Sequence, residues 1–161
     1  MKKNEHGRSM VEMLGVLAIV AVLSVAGLAG FGKAMDKYKS NTVKDQFREI
    51  VNNTLYVFFN QTDYSALGND CDTGVENAIR FSIIPENMID KTIGGSGNTA
   101  KHAFGGKVCI FAVSYGGVPN GAFRVNFLGL PRKVAMEMAM DGNNDSIDSL
   151  MNVTVDNGLT R

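Results

Sequence analysis

The sequence predicts an α+β fold: one long amino-terminal helix, apolar in its first half, whose second half packs on a small antiparallel β-sheet head. Three observations carry this expectation. Residues 13–32 contain no charged side chain, no proline interrupts residues 7–61, and segments that alternate apolar and polar side chains begin only after residue 106.

The apolar run is long enough to cross a hydrocarbon layer of about 30 Å as a helix. Beyond it, Met35, Tyr38, Val43, Phe47, Ile50, Val51, Leu55 and Phe58 recur at helical spacing among Lys, Asp, Arg and Glu, the pattern of one buried helix face. The simplest reading is a single helix over about residues 8–60, roughly 80 Å long at 1.5 Å per residue. Gly27, Gly30 and Gly32 crowd its middle, and each costs up to about 1 kcal/mol relative to Ala. Local bending or melting is expected there. A secretory signal peptide has a shorter apolar core, about 7 to 15 residues, with its cleavage site after that core. Lys2, Lys3 and Arg8 precede the segment while Lys33, Lys37 and Lys39 follow it, so charge does not set its orientation.

Residues 62–96 read as connecting structure, with a short helix near residues 74–81 and a turn at the Pro85 segment. Gly94, Gly95 and Gly97 lack the following Lys-Ser/Thr pair of a phosphate loop. Residues 107–113 and 122–127 predict an antiparallel hairpin, with Phe123, Val125 and Phe127 inward, Arg124 and Asn126 outward, and residues 115–121 as the loop. Pro131 opens a short helix over residues 132–140, residues 141–146 form a turn, and residues 149–155 supply a third strand with Met151, Val153 and Val155 inward. An unpaired edge then remains, to be covered by the long helix or by a neighbouring subunit.

The junction Gly7-Arg8-Ser9-Met10-Val11-Glu12 places a carboxylate at the mouth of the apolar run. A charge at the centre of a spanning helix costs about 2.5 to 3.5 kcal/mol, less near its end, and calls for a partner. If the chain is cut after Gly7, Glu12 becomes the fifth residue and a new ammonium arises on Arg8, with which the Glu12 of a neighbouring subunit would pair. These residues resemble the amino terminus of bacterial type IV pilins: a short basic leader, glycine at the cut, glutamate fifth, then an apolar helix. The resemblance implies a pilin fold, removal of residues 1–7 by prepilin peptidase between Gly7 and Arg8, N-methylation of Arg8 and an assembly role for Glu12. It further implies residence in the inner membrane followed by self-polymerisation, with the pilus assembly machinery, into a surface pilus whose heads are periplasmic or extracellular.

The order Ala103-Phe104-Gly105-Gly106, strand, hairpin, strand, Gly129-Leu130-Pro131, helix and final strand is similar to the head of type IVb pilins, which include the toxin-coregulated, bundle-forming and conjugative thin-pilus subunits. The chain departs from the family in three ways, the first being that type IVb leaders are often longer than seven residues. Arg8 stands where an apolar residue is usual, and Val134 and Ala135 stand where the heads usually carry a cysteine. The implied organisation is a leader at 1–7, a membrane and fibre-core half-helix at 8–32, an amphipathic half-helix at 33–61 and a globular head at 62–161. A pseudopilin or minor pilin of a secretion apparatus would share the amino terminus. A monomeric signal-anchored periplasmic protein would instead keep its first seven residues.

Sixteen basic and sixteen acidic side chains balance over 161 residues, and loss of the leader leaves fourteen and fifteen. No polybasic surface points to nucleic acid. Cys71 and Cys109 are the only cysteines, and in an exported head they are expected to pair. Asp141, Asn143, Asp145 and Asp148 offer oxygen ligands at alternate spacing, as calcium loops do; the same residue types suit a plain turn. The glycine and distal glutamate of an EF-hand are missing from their places. His102 reads as a solvated loop histidine without a nucleophile motif beside it. No catalytic constellation, cofactor motif or zinc-type cluster is recognisable.

Overall fold

The computed structural model describes residues 10–90 and 99–144, and the chain divides into two compact units at Tyr38 and Lys39. Helix α1, Met10–Val57, runs 48 residues, roughly 72 Å at the standard rise. It passes Gly27, Gly30 and Gly32 as continuous helix, so the helix does not melt there. Each glycine weakens the helix by only about 1 kcal/mol, and the helix-forming Ala and Leu residues between them keep the backbone hydrogen bonds propagating.

In the first unit every residue from Met10 to Tyr38 is exposed. From Lys39 onward α1 buries a line at Ser40, Val43, Gln46, Ile50 and Thr54, continued by Phe58 just past its end. Val43, Ile50 and Phe58 of the predicted stripe are buried, whereas Met35, Tyr38 and Leu55 are exposed. Steps of three and four from Val43 lead to 46, 50 and 54, so polar residues hold positions that apolar spacing alone does not reveal. Each is satisfied: Ser40 Oγ donates to Glu137 Oε2 at 3.2 Å, Thr54 Oγ donates to the Ile50 carbonyl at 2.6 Å, and Gln46 Oε1 accepts from the Ala103 N–H at 3.1 Å.

Helix α2, Cys71–Arg80, starts on Asp70, whose carboxylate accepts from the N–H groups of Asp72 and Thr73. Those hydrogen bonds, led by the one from Thr73, hold the Asp70 carboxyl below its ordinary range. Short 3₁₀ turns at Ser65–Leu67 and Glu86–Met88 lie on either side of α2. Among the described residues the sheet has four antiparallel strands in the order β1 (Ile89–Asp90), β2 (Thr99–Lys101), β3 (Lys107–Tyr115) and β4 (Val118–Phe127). β1 and β2 are two and three residues long, too short to leave a period-2 signal, and β1 falls within the stretch expected to be connecting structure.

The hairpin is tighter than expected. Strand pairing reaches Tyr115 and Val118, and only Gly116 and Gly117 turn, with φ of 60° and 81°, the paired positive values of a two-residue turn that suits twisted strands. Residues 118–121, predicted as loop, therefore belong to β4. Pro119 is tolerated because β4 is an edge strand among the described residues. Ile50, Leu67, Val75, Ala78, Ile83, Met88, Val108 and Ile110 form the core, with Phe123, Val125 and Phe127 packed against it.

Helix α3 spans Arg132–Asn144, so residues 141–144 are helical backbone and not the turn foreseen. Its Val134 is buried, and Glu137 Oε2 faces Lys44 Nζ at 3.9 Å as well as Ser40. The predicted strand at 149–155 lies outside the described residues.

Candidate assembly surface

Glu12 sits near the start of the described part of α1. Around and beyond it the apolar side chains are exposed: Val11 and Leu28 are each 74% exposed and Phe31 64%. Fully burying a side chain of this class is worth about 1.5–3 kcal/mol. A surface of this size therefore demands a non-aqueous partner, either lipid or protein. By length and composition α1 is able to cross a membrane, with a mean hydropathy of 2.5 over its best window. Ala18, Ile19, Val22 and Leu23 line a shallow apolar groove of about 310 Å³, the kind of trough between side-chain ridges that receives the ridge of another helix. Gly7 and Arg8 lie outside the described residues.

In the head, Cys71 and Cys109 form a disulfide with their Cα atoms 4.9 Å apart. It ties the first residue of α2 to the middle of β3. Lys107 Nζ and Asp72 Oδ1 pair at 2.8 Å beside it. Close approach of the two elements is required: a Cβ on Gly74 would overlap the carbonyl oxygen of Ile110.

The two short glycine motifs meet. A Cβ on Gly106 would overlap the Leu128 carbonyl oxygen and press on the His102 ring, while Gly105 and Gly129 adopt φ of 83° and 77°. His102 closes the junction, in contrast to the solvated loop position expected of it. It is 3% exposed and stacked on Phe127 with ring centroids 5.6 Å apart. Nε2 lies 2.8 Å from the Leu128 carbonyl, which only accepts, and Nδ1 lies 3.2 Å from the Phe104 N–H, which only donates. The neutral ring with its hydrogen on Nε2 satisfies both. Burial pushes the imidazole pKa down, and the Leu128 carbonyl offsets part of that. With both nitrogens engaged, His102 is a structural clasp. Gly105 and Gly106 shortly after the histidine, with Gly129-Leu130-Pro131 downstream, are the sequence signal of this junction.

Of the calcium candidates, Asp141 and Asn143 belong to the helical backbone of α3, and Asp145 and Asp148 lie outside the described residues. Among the described residues no group of three His, Cys, Asp or Glu side chains is placed to hold a metal. No family model, curated protein or solved structure matches the chain. Its element order, a long apolar amino-terminal helix followed by a small antiparallel sheet, is compatible with a pilin.

Proposed function

We propose that this chain is the structural subunit of a type IV pilus, most like the type IVb pilins. The leader is cut by prepilin peptidase after Gly7, and the subunit waits in the inner membrane with its head outside the cytoplasm. Polymerisation then transfers the apolar helix from lipid into a fibre core. The reading rests above all on one observation: a helix exposed at every residue from 10 to 38 carries an acid, Glu12, at the mouth of an apolar run that holds no charge from residue 13 to residue 32. A plain membrane anchor has no use for a carboxylate there, whereas a subunit that must dock beside another's new amino terminus does. Contacts that repeat head-to-tail without closing build a filament.

Native protein sheared from the cell surface should begin at Arg8 by amino-terminal sequencing and appear as fibres by electron microscopy. Glu12→Ala should leave cleavage after Gly7 intact while fibre yield falls at least tenfold. Full assembly of that variant removes Glu12 from the mechanism, and native protein that still begins at Met1 overturns the reading itself.

A further inference from the structure

The head carries an apolar surface that its own fold leaves uncovered. At the end of α1, Phe58 turns inward, 7% exposed, and packs on Tyr64 and Phe81 with centroids 5.1 and 6.2 Å away. Its neighbours turn outward: Tyr56 is 85% exposed, Phe59 82% and Leu55 46%. Together they offer about 400 Å² of apolar surface, given 150–250 Å² for an aromatic side chain. That is the size of the largest patch on a typical monomer, which is often functional.

We propose that Leu55, Tyr56 and Phe59 form the contact by which the head of one copy of this chain packs against the next copy. The inference rests on the filament reading and names a second contact within it. Area argues for a copy over an unrelated partner. A stable interface takes about 800 Å² from each side, so this patch, at about half that, does not hold a freely diffusing protein. It suffices between molecules already held together elsewhere, and the exposed apolar half of α1 supplies that tether by placing copies in one layer at high effective concentration. Charge agrees. Asp45, Arg48 and Glu49, exposed on the preceding turns, carry both signs, so two copies meet there without a single-sign field to repel them.

The test uses the full chain in its own membrane, with the photoreactive analogue p-benzoylphenylalanine placed at Phe59, at Ala18 in the apolar groove and at Glu76 on the exposed side of α2. Illumination should give adducts between copies at 59 and at 18, each at least fivefold above those at 76. Adducts between copies at 18, with none above background at 59, leave self-assembly standing and overturn the inference, as does capture at 59 of a different protein or of the same molecule's own chain. Adducts at neither position overturn self-assembly and the inference with it. The paired substitution Tyr56→Ser and Phe59→Ser lies outside the core and should keep the disulfide and membrane insertion while the assembled fraction drops at least fivefold. Unchanged assembly of that variant also refutes the contact.

Discussion

The two halves of α1 solve opposite problems with similar side chains. Before Tyr38 the helix is rich in Val, Leu and Ala and buries none of them. After Lys39 it buries only five positions, and three of those are Ser, Gln and Thr. Apolar content thus misreports which half belongs to the folded head. Residues that specify the head are recognised by what they reach: Ser40 reaches Glu137, Gln46 reaches the Ala103 backbone, and Ile50 reaches the sheet core. The first half is exposed along its whole described length.

Removing residues 1–38 breaks this contrast most severely. The remaining chain should be soluble without detergent, monomeric by sedimentation and cooperative in thermal melting, because its core draws on nothing before Ser40. The intact chain should require detergent or lipid. A shortened chain that aggregates or melts without cooperativity would mean that the apolar half contributes to the head.

Within the head, the next largest effect belongs to the disulfide. Its 38-residue separation implies about 3–4 kcal/mol of stabilisation in the chain-entropy model. Reduction, or Cys109→Ser with Cys71→Ser, should lower the denaturation free energy by that amount in urea titrations of the head. Membrane insertion should be unaffected. Gly74→Ala should come next, at about 1–3 kcal/mol, the usual cost of overpacking, since the new methyl overlaps the Ile110 carbonyl and α2 must withdraw from β3. A Gly74→Ala head as stable as the parent would show that the helix shifts freely, against the disulfide's grip on its first turn.

How legible these features were depends on whether the information is periodic. The long helix, the hairpin and the inward set Phe123, Val125 and Phe127 follow from spacing, and the disulfide from two cysteines in a head read as exported. β1 and β2 escape notice because two or three residues have no period. The Gly116-Gly117 turn was submerged in a glycine-rich run that invited a longer loop. Helix α3 overran its expected end because Asp141-Gly142-Asn143 resembles a turn, yet the cost of such residues in one terminal turn is small. His102 was misplaced for a different reason. Glycine neighbours suggest a loose, wet loop, but here Gly106 is glycine because Leu128 and the imidazole occupy the space a side chain would need. Packing of that kind joins residues 22 positions apart and leaves no local trace.

The smallest predicted effect tests that clasp directly. His102 is held neutral, so its folded pKa lies below the ordinary value near 6.5 while the unfolded chain keeps the ordinary one. The unfolded state then binds more protons as the pH drops, and stability falls with it. The clasp is therefore fully effective above about pH 6.5 and is lost as pH descends from there through the folded value. Protonation places a second hydrogen on Nδ1, opposite the Phe104 N–H, and that hydrogen bond cannot survive. Asp63 and Asp70 are held below the usual carboxylate range by their hydrogen bonds, so they contribute at still lower pH and leave the interval from 6.5 to 5 to the histidine. Chemical denaturation of the head across that interval should show stability declining with acid, and His102→Gln, which does not titrate, should flatten the slope. An equal slope in both proteins would assign the acid sensitivity elsewhere and reduce His102 to a packing residue beside Phe127.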